Sequence, residues 1–192
     1  MKIILFLTSL ILVTASACIE KNTKTTDENE ITETVFSADT ITKTAQVEVS
    51  PKSGSNVMGV VNFKEVSGVV FMTVSLRNLA PGPHAIHIHE IGDCSSDDGK
   101  SAGGHWNPTG ANHGEWGSDQ YHLGDLGNIV AGKDSIATFT RQTNLWEIGG
   151  EDKERNIVGK AIIVHEGLDD FTTQPSGKAG KRIACGEIVR ID

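Results

Sequence analysis

Short apolar runs of period two, each closed by glycine or proline, constrain this chain more than any other feature. NVMGVVNFKEV (56–66) and VVFMTVSLRNL (69–79) alternate apolar and polar residues on either side of Ser67-Gly68. Side chains of a strand point to opposite faces in turn, so such runs form half-buried strands. A two-residue Ser-Gly link between them is a hairpin signal. AQVEVS (45–50), HAIHIHE (84–90), SIATFTR (135–141), KAIIVHE (160–166) and IACGEIVRI (183–191) are the further strand candidates, with turns at Pro51 to Gly54 and at Pro81-Gly82-Pro83. Glycine is abundant, at 21 residues, and helix-length periodicity is hard to find. The expectation is one all-β domain over 45–192, a β-sandwich or flattened barrel of antiparallel strands. That length suffices for a real core.

Two connections are long for a compact domain. One runs from about Gly92 to Asp125 and the other from Gly167 to Arg182. Loops of this length are usually functional.

The first twenty residues, MKIILFLTSLILVTASACIE, read as a targeting segment. Lys2 precedes an apolar stretch from Ile3 to Val13, too short to span a bilayer comfortably, and the small residues Ala15-Ser16-Ala17 follow. A signal peptide over 1–17 is expected. Cys18 comes directly after it, in the position of the lipidated cysteine of a bacterial lipobox. The alternative is an ordinary secretory leader with an incidental cysteine. Residues 20–44 are rich in Thr, Glu, Asp and Asn without apolar periodicity, so 18–44 reads as a lipidated cysteine and a disordered tether. A short strand near Ile31 to Phe36 is not expected. The protein is then exported and anchored in the cell envelope, periplasmic or surface-facing, with the membrane as a partner through its lipid.

The formal charge is −8, which argues against nucleic acid as a partner. An anionic small substrate would need a locally positive entrance. The chain has three cysteines. In an exported protein Cys94 and Cys185 can pair, which leaves Cys18 as the odd one, or they can stand as two unrelated buried thiols.

All seven histidines fall in the domain. His87 and His89 share one face of the strand 84–90, and Ile86 and Ile88 share the other. Two imidazoles at i and i+2 can meet one ion. His84 has the parity of the isoleucines and reads as structural, hydrogen-bonded to backbone. A pH switch is open to any histidine, but the loop that follows adds His105, His113, His122 and Asp125 and favours a metal. Three imidazoles and a carboxylate suit a four-coordinate zinc. His165 has the parity of Ala161 and Ile163, and it can join His87 and His89 if their strands are neighbours. An all-imidazole group suits copper.

HIHEIGDC, KSAGGHWNP, HLGDLGN, IVHE and GKAGKRIACGEI occur in this order from residue 87 onward. Together they resemble the copper/zinc superoxide dismutases, in the exported bacterial form. The resemblance implies a Greek-key β-sandwich or flattened eight-stranded barrel with two long functional loops, and cofactors of one copper and one zinc per subunit. It implies copper on His87, His89, His105 and His165, and zinc on His105, His113, His122 and Asp125, with His105 bridging. Asp169 would link a copper-site and a zinc-site histidine. Cys94 and Cys185 would form the internal disulfide. Arg182 would stand beside copper and guide the anion, with Lys178 and Lys181 extending a positive funnel. Trp106 and Trp116 would be packing residues. The reaction implied is dismutation of superoxide to dioxygen and hydrogen peroxide by a redox-cycling copper next to a structural zinc. The alternative is a non-catalytic copper- and zinc-binding or copper-delivery module of the same fold. Oligomeric state varies between branches of the family, a homodimer among them.

Overall fold

The computed structural model describes residues 42–192. The expected signal peptide, Cys18 and the tether as far as residue 41 lie outside the described residues. The chain forms β1 (Thr42–Pro51), β2 (Met58–Val66), β3 (Val69–Arg77), β4 (Gly82–His89), β5 (Asp125–Ala131), β6 (Ile136–Thr143), β7 (Ala161–His165), β8 (Arg182–Glu187) and β9 (Val189–Arg190), plus a single 3-10 turn at Lys100–Ala102. The strands follow the hydrogen-bonded order β5-β4-β7-β8-β1-β2-β3-β6, with β9 on β1. Neighbours are antiparallel throughout. The path ends, β5 and β6, are consecutive in the chain, so residues 132–135 nearly close an eight-stranded Greek-key barrel. Arg141 on β6 reaches across this seam and donates from Nη2 to the Leu126 carbonyl at 2.8 Å. Its guanidinium lies 4.4 Å from the Trp116 ring centre.

The alternating runs behave as their pattern requires. In β3, Val70, Met72, Val74 and Leu76 are buried, and Phe71, Thr73, Ser75 and Arg77 face out. Val66 pairs with Val69 across Ser67-Gly68, which both hold positive φ (51° and 77°) as a type I′ hairpin demands. The core gathers Val47, Val61, Phe63, Ile86, Ile88, Leu126, Ile162 and Val164 with the indole of Trp146. Trp106 is buried in this core, and Trp116 packs against it.

Three details differ from the expected elements. β1 begins at Thr42, so the last residues assigned to the tether are strand. The run 183–191 is split into β8 and β9 around buried Ile188. β5, with sequence DLGNIVA, had no alternating signature, because Leu126, Gly127 and Ile129 are buried on both faces of its middle.

Cys94 and Cys185 are joined in a disulfide, with Cα atoms 5.8 Å apart and a sequence separation of 91. It ties the loop after β4 to β8, over a small apolar cluster of Ala102, Ala161, Ile163 and Cys185. The β1–β2 turn braces the same loop, since Ser53 N donates to the Asp97 carbonyl at 2.7 Å and Lys52 Nζ donates to the Cys94 carbonyl. Replacing both cysteines with serine is expected to lower the unfolding free energy by about 4–5 kcal/mol, from the chain entropy of a loop this long. Urea unfolding of the two forms measures it. A loss under about 1 kcal/mol would mean that the β1–β2 turn holds the loop unaided.

Candidate metal centre

Backbone hydrogen bonds assemble the site before any side chain takes part. Ile88 N donates to the Gly124 carbonyl at 2.9 Å, Gly124 N to the Trp106 carbonyl at 3.0 Å, and Trp106 N to the Ile88 carbonyl at 2.9 Å. This closed triangle stitches the middle and the far end of the long loop onto β4. The residues beside its corners are His87 and His89, His105, and Asp125. β4 and β7 are neighbours, with His87 opposite Ile163 and His89 opposite Ala161. The strand-parity condition on His165 is therefore met, and it lies on the same face as His87 and His89. Ile86 and Ile88 point the other way, into the core.

Two groups of candidate ligands result. His87, His89, His105 and His165 form one, and His105, His113, His122 and Asp125 form the other. Within each group the ligand atoms lie within 4.8 Å of one another, every residue is buried, and His105 belongs to both. His84 stays apart. Its ring nitrogens face the His165 carbonyl at 2.9 Å and the Ala80 carbonyl at 2.8 Å, so it pins β4 to the end of β7.

Four of the imidazoles are held by an outer partner. His87 Nε2 donates to Asp169 Oδ2 at 2.8 Å, and His113 Nε2 to Asp169 Oδ1 at 2.8 Å. His89 Nδ1 donates to the Gly103 carbonyl at 2.9 Å, and His165 Nδ1 to the Gly180 carbonyl at 3.3 Å. Of the opposite nitrogens, His87 Nδ1, His89 Nε2, His105 Nε2 and His165 Nε2 are buried without a hydrogen-bond partner, while His113 Nδ1 and His122 Nδ1 face the Asp125 carboxylate at 3.0 and 3.2 Å. Buried polar atoms are normally satisfied, so four unpaired imidazole nitrogens converging in the first group fit a metal ion there, and three imidazoles turned onto one buried carboxylate fit a second ion. Neutral nitrogen donors suit copper and zinc, and the one carboxylate is confined to the second group.

The electrostatics differ between the groups. Burial drives the imidazoles of the first group toward neutrality. It lowers His87 against the pull of Asp169, takes His89 well below the ordinary histidine range, and brings His105 to about 4 and His165 to about 3. Burial also opposes charge on His113, but the carboxylates of Asp125 and Asp169 outweigh it and raise this imidazole to about 9. Burial likewise disfavours the Asp125 and Asp169 carboxylates, yet hydrogen bonds from the surrounding histidines hold both far below the usual range. Asp125 accepts from His105 Nδ1 at 2.7 Å, from His122 N at 2.8 Å and from Gly114 N at 3.2 Å.

A cleft of about 610 Å³ opens onto His89, His105, His122 and His165 and carries Arg182 and Lys178 on its wall. Arg182 starts β8 and donates from Nη1 to the Gly99 carbonyl at 2.8 Å, so the disulfide loop holds its guanidinium. Lys181 is not part of the cleft wall. It borders an adjoining depression with Ser53, Asp98 and Lys100, and Arg182 lines both.

Other supports were not legible in the residue types. Gln174 grips the His113 backbone with both ends of its amide, accepting from N at 2.9 Å and donating to O at 2.9 Å. Asn128 does the same for Asp169, at 2.7 and 3.0 Å. Asn128 lies in HLGDLGN, a motif that singled out its neighbours, and Gln174 lies in the second long loop. Only that proximity to ligand motifs could have flagged them.

The family model for copper/zinc superoxide dismutase matches residues 57–188. The chain is also 31% identical, over 195 aligned positions, to an extracellular superoxide dismutase [Cu-Zn] of Brugia pahangi, with 96% of this chain and 95% of that protein covered. The match takes in both ligand groups, the disulfide and the cleft. The chain belongs to the copper/zinc superoxide dismutase family, whose members use copper and zinc to convert superoxide into dioxygen and hydrogen peroxide.

Proposed function

We propose that the all-imidazole group of His87, His89, His105 and His165 holds the copper, and that His105, His113, His122 and Asp125 hold the zinc. The observation that carries this assignment is the pair of arrangements sharing His105: four unpaired buried nitrogens in one group, and three imidazoles gathered on the Asp125 carboxylate in the other. A bound copper supplies one-electron exchange between Cu(II) and Cu(I), and a bound zinc supplies charge without redox change. His105 presents Nδ1 to Asp125 and Nε2 to the four-imidazole group, so a proton can be held or given up at Nε2 while the ring stays in place. Peroxide formation needs two protons. Water in the cleft supplies both, one of them relayed through His105 Nε2, which takes up a proton before giving it on. Arg182 binds and orients the superoxide anion at the cleft wall, and Lys178 adds positive field at the mouth, within a protein that is negative on average. Asp169 holds the His87 and His113 rings at a fixed spacing by one hydrogen bond to each.

The same reading places the protein outside the cytoplasm. The relative from Brugia pahangi is named as extracellular. The leader, and Cys18 directly after Ala15-Ser16-Ala17, support export with a lipid on Cys18, as in the bacterial lipoprotein form.

Three outcomes are expected. Loading the protein with copper and zinc restores superoxide removal, and Arg182→Ala lowers kcat/KM roughly tenfold, about 1.4 kcal/mol, by an amount that shrinks with added salt. Fully metallated wild type no faster than metal-free protein would sink the catalytic assignment, and an unchanged Arg182→Ala rate would remove Arg182 from it. Proton release on metal uptake tests the two groups. His113 at about 9 carries a proton at pH 7.5, so zinc entering its group alone should release about one proton. Copper entering the four-imidazole group alone should release none, because His105 at about 4 and His165 at about 3 are already neutral. A pH-stat titration with each ion reads the difference. Finally, Cys18→Ser should move the protein from the membrane to the soluble fraction, and a variant that stays membrane-bound would refute the anchor.

A further inference from the structure

The outer partners of the copper-group histidines are not alike. His87 donates directly to a carboxylate, Asp169. His165 donates to the Gly180 carbonyl at a long 3.3 Å. His89 also donates to a carbonyl, that of Gly103 at 2.9 Å, but this carbonyl shares its peptide group with Gly104 N–H. Gly104 N–H donates to Glu90 Oε1 at 3.0 Å, and Glu90 N donates back to the Gly104 carbonyl at 3.0 Å. One peptide unit therefore stands between a carboxylate and His89.

The local backbone is shaped for this contact. Gly103 has φ +72°, and a Cβ there would lie 2.5 Å from Glu90 Oε1. Glycine lets the peptide turn its N–H to Glu90 and its carbonyl to His89. No other residue type holds that conformation without strain and without displacing the carboxylate.

We propose that Glu90 is a positioning residue that acts on copper through the Gly103–Gly104 peptide, as an indirect carboxylate partner of His89. Hydrogen bonds in series polarise one another. A carboxylate on the N–H side places more negative charge on the Gly103 oxygen. That oxygen then holds the His89 Nδ1–H more tightly and makes Nε2 a stronger donor. A stronger imidazole donor favours Cu(II) over Cu(I), so Glu90 lowers the midpoint potential of the copper. This rests on the assignment of copper to His87, His89, His105 and His165. Glu90 is exposed, and water screens its far side. The effect is accordingly smaller than the ten- to hundredfold typical when a ligand's direct partner is lost.

The test uses the full-length protein loaded with copper and zinc, as wild type and as Glu90→Gln. Glutamine keeps an oxygen for Gly104 N–H and removes only the charge. The preference for Cu(II) over Cu(I) should fall about threefold, equivalent to a midpoint rise of ~30 mV at 59 mV per decade for one electron. In the reduced, diamagnetic protein the His89 Nδ1–H proton resonance should move upfield, while the His87 Nε2–H resonance on Asp169 stays in place. An unchanged midpoint overturns the proposal. A raised midpoint with an unmoved His89 proton also overturns it, because charge acting through space would then suffice. If wild type shows no copper bound by imidazole nitrogen in its Cu(II) spectrum, the site assignment itself fails and this proposal falls with it.

Discussion

The closed triangle of hydrogen bonds among Ile88, Trp106 and Gly124 is the constraint on which the rest of this molecule depends. Ile88 is a core residue, packed on the inner face of β4. Its peptide groups, on the same strand, receive Trp106 and Gly124, the middle and the far end of a loop of more than thirty residues. The packing energy of the barrel is thereby transmitted to ligands that lie far apart in sequence. A loop of that length would otherwise sample many conformations, and its ordering would oppose metal binding. Gly124 belongs at its corner because a Cβ there would run into the Ile88 carbonyl, so the triangle closes only with glycine.

Above that frame, charge decides the division between the two metal groups. β4 is buried on both faces, by the core on one side and by the loops on the other. Burial of this kind penalises charge, and it leaves the imidazoles nearest β4 and β7 neutral and ready to donate. Asp125 and Asp169 are buried as well, and two buried carboxylates need compensation. Histidine N–H groups supply it, with His113 placed between both acids. A dication in the second group takes over that role, so its binding energy also stabilises the fold. A carboxylate is thus a member of one group only, and the other meets Asp169 and Asp125 through the outer nitrogens of His87 and His105.

Much of this was legible before any coordinates. Period-two alternation located seven of the strands, and strand parity separated His84 from His87 and His89. The ordered motifs pointed to the remaining members of the two groups that the fold brings together. What stayed hidden has a common cause. β5 is buried on both faces and contains Gly127, so it lacks alternation. Gln174 and Asn128 work through backbone atoms, and any polar residue in a loop could look the same. Lys181 groups with Lys178 by its charge, and it borders the depression next to the cleft, where Arg182 lines both. Residue type predicts a ligand well when the metal demands that type. It predicts a support poorly, because carbonyls and amides from any residue can serve.

The disulfide and Arg182 show how the second long loop is made to serve the first. Arg182 and Cys185 both belong to β8, three residues apart. Cys185 binds the segment at Cys94, and Arg182 donates to Gly99 in the same segment. A covalent bond and a hydrogen bond therefore join one strand to one loop at two nearby points. Rotation of the loop about either point alone would be cheap, but the pair restricts it. The guanidinium is held beside His89 and His105 without an ion pair to neutralise it, and its charge stays directed at the cleft. Arg182 and Lys178 make the cleft wall locally positive in a protein that is negative on average. Asp98, the nearest acid in the loop, is occupied by Lys100 at 2.7 Å.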